Sequence, residues 1–221
     1  MTEADRRDAT ARRRYRTNRL EAFSDGVLAI AITLLVLELS VPEVSGEGLI
    51  EALAAQWHEY LAYLVSFATI GAIWVAHSAV TEYLDEADPT ILRLNLLLLF
   101  FVSLLPFTTR LLAEYFDVDD ADRVVVTIYG LNLLLASVVL SAMWQWARHA
   151  GLVSGVDRDE EVRYLTRRLA PGVGGYLAIL TVGIFQPTIA VLGYLLVALF
   201  FMLPLGAIRE TRSARSTLPP T

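Results

Sequence analysis

Three polar side chains sit deep in otherwise apolar sequence: Asp25, His77 and Asn95. Asp25 follows Ser24 about a turn inside the apolar run 19–39, His77 comes three residues after Trp74 in the run 57–80, and Asn95 opens the leucine-rich run 90–113. An acid or an imidazole in such a setting is expensive unless it faces protein or water. Two chemistries suit the trio. One is a hydrogen-bonded cluster, with Ser24, Trp74 and Arg19, that locks three helices together; the other is a proton or ion relay. The first needs fewer assumptions and is favoured. Histidines 58, 77 and 149 lie apart with no ligand spacing, and cysteine is absent. That speaks against a metal centre, thiol chemistry and disulfides. No phosphate loop, serine elbow or nucleophile–base pair is visible. The chain is expected to be neither an enzyme nor a cofactor carrier.

The elements that must position these residues are membrane helices. Of 221 residues, 55% are hydrophobic and only 19% charged. A soluble domain carries about a quarter charged residues, so the balance is that of an integral membrane protein. Apolar segments occur at 19–39, 57–80, 90–113, 123–147, 170–185 and 189–208, giving an all-α chain with six transmembrane helices. Pro106 should kink the third near its end. The loop 40–56 is acidic, and 149–169 reads as an amphipathic surface segment. Residues 1–18 form a basic N-terminal arm that reads first as an orientation signal; contact with anionic headgroups is compatible with it, and nucleic acid suits so hydrophobic a chain poorly. Residues 19–208 form the membrane domain, and 209–221 a polar tail.

All 18 basic residues are arginine, and alternating the loops places sixteen of them on the side of both termini. Only Arg110 and Arg123 fall on the other. The bias orients both termini towards the cytoplasm in a multi-pass protein of the cell membrane.

In the first segment, Ile30, Thr33, Leu34 and Leu37 recur at helical spacing and make one stripe. Asp25 and Ile30 are about 140° apart around the axis, so acid and stripe look in different directions. Periodicity alone leaves three partners open for that stripe: lipid, another helix, or a pore.

The octapeptide Arg19-x-x-x-Phe23-Ser24-Asp25-Gly26, leading into an apolar helix, resembles the opening of the transmembrane-protein-175 family of potassium channels, bacterial branch. Trp74-x-x-His77, Asn95 running on to Pro106-Phe107, and Tyr129-Gly-Leu-Asn132 are similar to its second, third and fourth helices. The resemblance covers about 19–147. It implies a six-helix unit, four copies of which form a homotetramer around a pore lined by helix 1. Transferred to this chain, it implies a constriction at Ile30, Leu34 and Leu37, with Thr33 as a polar neighbour. Arg19, Phe23, Ser24, Asp25, Trp74, His77 and Asn95 would then form the inter-helix network. Glu38, beyond Leu37, would draw cations if it faced the outer mouth. The expected function is a potassium-preferring cation channel in the lipid bilayer, with K⁺ as permeant ion and no cofactor. The principal alternative is a proton-coupled secondary transporter using Asp25 and His77, although no inverted repeat accompanies it. A non-conducting membrane scaffold is a third class.

Overall fold

A computed structural model of the protein describes residues 16–42, 48–116, 118, 121–153 and 159–202. Most of the basic arm, the tail 209–221 and the last part of the sixth predicted segment lie outside the described residues. The architecture is helical throughout: α1 (Thr17–Leu34), α2 (Leu49–Ala55), α3 (Trp57–Glu82), α4 (Pro89–Ser103), α5 (Leu105–Tyr115), α6 (Ala121–His149), α7 (Asp159–Gly183) and α8 (Pro187–Met202). A 3-10 turn, Leu35–Glu38, continues α1.

Among the described residues, four stretches are long and apolar enough to cross a membrane: Thr17–Glu38, Trp57–Glu82, Pro89–Tyr115 and Ala121–His149. The apolar parts of the last two helices are shorter, at Gly172–Gly183 and Pro187–Met202.

Helix ends follow local chemistry. Asp88 caps α4, its Oδ1 accepting from the backbone N–H groups of Thr90 (3.0 Å) and Ile91 (2.8 Å). Pro89 fills the first helical position, where no N–H is needed. The predicted kink is a break between α4 and α5 at Leu104. Pro106 offers no N–H to Val102, so the turn tightens, while Leu104 N–H still reaches Phe100 O (3.2 Å). The chain leaves α6 through Gly151, whose φ of 65° a side-chain-bearing residue would adopt only under strain. Gly151 N–H returns to Arg148 O (3.3 Å) and Leu152 N–H to Ala147 O (2.9 Å), closing a Schellman turn. The reversal delivers Leu152 O to Asp85 N–H (3.2 Å) and pairs Val153 with Leu84. Trp146 Nε1–H donates to the second oxygen of Asp88 (2.9 Å), so one carboxylate caps α4 and ties it to the end of α6.

Two elements differ from the sequence reading. Helix α2 lies inside the expected loop 40–56, and the expected surface segment 149–169 is largely the first half of a helix that runs unbroken from Asp159 through Pro171 to Gly183. The core is shared among α1 and α3–α8. Alanines 68 and 72 of α3 cluster with Ala198 and Phe201 of α8, the three alanines letting the two backbones approach. Helix α1 lies against this body. It packs on α3 and α4 and, over a short length, on α5.

Candidate functional site

Helix α1 buries one narrow face. Leu20, Ser24, Leu28, Ala31 and then Leu35 of the 3-10 turn recur at helical spacing and point into the bundle. Only 28% of this span is buried, against 44–50% of the other three long spans. The opposite side is open: Ile30 is 61% exposed, Leu34 41% and Leu37 74%, and Thr33 joins them. Thr33 Oγ donates to its own helix, at Ile30 O (2.9 Å) or Ala29 O (3.0 Å), which leaves its lone pairs as the polar feature of that face. Periodicity separates the two sides, because residues seven apart return to within about 20° of the same angle.

The buried face carries the polar lock, and its node is Asn95. His77 Nε2 lies 2.8 Å from Asn95 Oδ1, and Asn95 Nδ2 lies 2.9 Å from Ser24 Oγ. Ser24 Oγ in turn reaches Leu20 O at 2.8 Å. A consistent set of protons has His77 Nε2–H donating to Asn95, Asn95 N–H donating to Ser24, and the Ser24 hydroxyl donating to the Leu20 carbonyl. All three side chains are buried, with Ser24 at 0%, His77 at 1% and Asn95 at 3% exposure. The chain of bonds joins α3, α4 and α1 at one depth. In so dry a place each partner is needed by the next.

Asp25 is not in that lock. It lies on the surface of the protomer, where its Oδ1 accepts from the indole N–H of Trp74 at 3.0 Å, and Trp74 is 48% exposed. The adjacent residues Ser24 and Asp25 therefore serve two separate contacts, Ser24 with α4 and Asp25 with α3, and Asp25 and His77 share no direct bond. Arg19 and Phe23 take no part in the bonds just described. Both are exposed and line a groove between α1 and α4 whose floor is Asn95. At the other end of α1, Glu38 turns towards α5. Its carboxylate lies 4.0 Å from Arg110, which also stands 3.7 Å from Glu114. Only 21% of the Glu38 side chain is exposed.

A second buried polar cluster escapes sequence reasoning. Ser66 Oγ of α3 lies 2.6 Å from Thr109 Oγ1 of α5 and 2.9 Å from Tyr129 Oη of α6. Single hydroxyls are too common in membrane helices to be singled out by type, and no spacing rule links positions so far apart. Among the described residues, no group of three or more histidines and acids is placed to hold a metal ion.

Residues 19–106 match the family model described as the endosomal/lysosomal potassium channel TMEM175. A potassium channel of Streptomyces collinus is 42% identical over 170 residues, 76% of this chain and 82% of that one. A potassium channel of Chamaesiphon minutus is 38% identical over 192 residues, 85% and 94% of the two chains. The crystal structure of a lysosomal potassium-selective channel TMEM175 homolog from Chamaesiphon minutus superposes with a TM-score of 0.75, covering 88% of this chain and 97% of that one at 38% identity. The matched region holds α1, α3 and α4, the three helices that the Ser24–Asn95–His77 lock joins. On these grounds the chain belongs to the TMEM175 family.

Proposed function

We propose that the protein is a potassium-preferring cation channel, built as a homotetramer with α1 of each copy facing a central pore. The observation that carries this reading is the exposure of α1. One side of the helix is locked to its own bundle, while on the other Ile30, Leu34 and Leu37 stay exposed among the described residues. Asp25 supports it as well. A carboxylate that near the start of a membrane span is costly against lipid, so either a second copy or water must meet it. Six spans and cytoplasmic termini accompany the reading. Sixteen of the eighteen arginines then lie inside, and the ends of α4 and α6 that meet through Asp88 and Trp146 share that side.

Four Ile30 side chains around an axis offer no oxygen ligands. An ion passing such a ring sheds water without replacement, and potassium gives up its shell more readily than sodium. Glu38 belongs to the outer end, where its lean towards Arg110 makes it a poor ring of free charge. The relay alternative has no direct bond to support it, since Asp25 and His77 belong to separate hydrogen bonds.

The test is ion flux through purified protein in liposomes, with potassium or sodium gradients. The wild type should pass potassium faster. Ile30→Asn should raise total flux and lower the potassium preference, while Leu196→Ala on the outward side of α8 should change neither. Unchanged selectivity in a conducting, tetrameric Ile30→Asn channel would move selection away from this ring.

A further inference from the structure

Helix α2 is amphipathic, yet none of its seven residues is buried. Ala52 and the following Gln56, four apart, are half-buried and form its inner side. Leu49, Leu53 and Ile50 fall within an arc of about 100° and are exposed, Ile50 at 79%. Glu51 points about 160° away from both leucines. Residues 43–47, outside the described residues, offer Val44 as their one large apolar side chain, too little to cover three. The depth of α2 is set by its neighbour. Gln56 alone separates it from α3, which is long and apolar enough to cross a membrane. The first turn of α3 carries Trp57 and Tyr60, both exposed, and such amphipathic rings belong at the headgroup level. Seven helical residues measure about 10 Å, so α2 cannot leave that level by more than its own length.

We infer that α2 is a membrane-surface anchor, lying in the headgroup layer with Leu49, Ile50 and Leu53 dipped into the acyl boundary of the bilayer and Glu51 turned to water. Lipid is the occupant that suits both the arc and the depth. Standing up into water, α2 would leave three large apolar side chains solvated. Laid along the interface, it buries them and keeps its acid wet. A place over a water-filled pore mouth carries the same penalty as open water. The anchor sits at a corner that also holds α1. Just past the 3-10 turn, Ser40 N–H donates to Glu59 Oε2 of α3 at 2.7 Å, so the start of α3 ties down the end of α1. Fixing α2 in the headgroup layer therefore fixes the level at which the helix assigned to the pore ends. That the leaflet is the outer one rests on the topology proposed above; the depth of α2 does not.

The chain has no cysteine, so a nitroxide on Ile50→Cys, Glu51→Cys or Leu53→Cys stands alone in the full-length protein. Each variant is reconstituted in vesicles of phosphatidylcholine and phosphatidylglycerol. Electron paramagnetic resonance then reads collisions of the label with oxygen, which concentrates among acyl chains, and with a water-soluble nickel chelate. Labels at positions 50 and 53 should lie about 5–10 Å below the headgroup surface, in good contact with oxygen and poor contact with nickel. The label at position 51 should show the reverse. The chelate is present on both faces of the membrane, so the reading holds for either orientation. Ile50→Gln/Leu53→Gln, with the label on Leu49→Cys, should bring that label out to the chelate, and because no α2 residue is buried the bundle keeps its fold. Equal nickel contact at all three positions overturns the proposal, since α2 would then stand in water. So do labels at 50 and 53 that are immobile and shielded from both reagents, which would put protein over this face, either a second copy or the preceding loop. So does a label at 49 whose depth the double variant leaves unchanged. Potassium flux through the same vesicles is measured in parallel. Its absence counts against the channel reading, whereas label depth decides the anchor.

Discussion

Asn95→Leu tests the polar lock, because leucine keeps the heavy-atom count and branching of the asparagine side chain, at a larger volume, and removes every hydrogen bond that side chain makes. Two bonds disappear, to His77 at 2.8 Å and to Ser24 at 2.9 Å. Within a membrane, side-chain bonds between helices contribute only about 0.6 kcal/mol each, so their loss alone costs about 1 kcal/mol. The larger effect is what remains behind. His77 is 1% exposed, and its Nε2–H loses its acceptor, which costs about 1–3 kcal/mol. Ser24 is spared, since its hydroxyl still reaches the Leu20 carbonyl at 2.8 Å. The expected total is about 2–4 kcal/mol. It is read from reversible unfolding in mixed micelles followed by tryptophan fluorescence, with exposed Leu97→Ala as reference. Ser24→Ala should cost about 1 kcal/mol in the wild type and close to nothing beside Asn95→Leu, because its partner there is already gone. A loss below about 0.5 kcal/mol for Asn95→Leu, or equal costs of Ser24→Ala in both backgrounds, would refute the account of Asn95 as the node.

Asp88→Ala should lower stability by about 1–2 kcal/mol in the same unfolding assay, since two backbone N–H groups of α4 lose their cap and Trp146 loses its acceptor. Asp88→Asn, which keeps one acceptor oxygen, should restore the cap but not the Trp146 bond, and so recover only part of the loss. Gly130→Ala would drive a methyl group into the Tyr194 hydroxyl and to within 2.9 Å of Leu180 Cδ1, a packing conflict worth about 1–3 kcal/mol. Gly174→Ala meets nothing within 4 Å and should be neutral or stabilising by up to about 1 kcal/mol, as measured by the unfolding midpoint.

The sequence spoke most clearly where one residue type is costly in one environment. Asp25, His77 and Asn95 stand out because a bilayer penalises them, and two of the three meet as expected. It could not say which of Ser24 and Asp25 turns inward. The neighbours are about 100° apart on the helix, and the burial penalty favours the smaller, uncharged one only once α4 is in place. The stripe at Ile30, Leu34 and Leu37 was legible as a face, though a face has no partner written in it. The break at Pro106 was visible for the plain reason that proline lacks an N–H. Helix α7 was read short because Pro171 and the charges before it imitate a helix start. Helix α2 was missed among acids, glycines and a proline that signal a loop. The contact of Glu38 with Arg110 spans two elements and depends on how far α5 is rotated, which composition does not encode.

The 3-10 turn that ends α1 carries a consequence for how such a pore would close. At three residues per turn, side chains three apart eclipse one another, so Leu37 stands directly over Leu34, about 6 Å further along the axis. Continued α-helical winding would have turned it about 60° aside. Repeated around a four-fold axis, the two leucines become stacked rings, a short greasy sleeve with no group to which water can bond. A liquid column in such a sleeve is held up only by its own cohesion. In such an assembly a small change in the tilt of α1 would narrow both rings together and let the column rupture, and the vapour replacing it would stop ions without any part of the protein closing the gap.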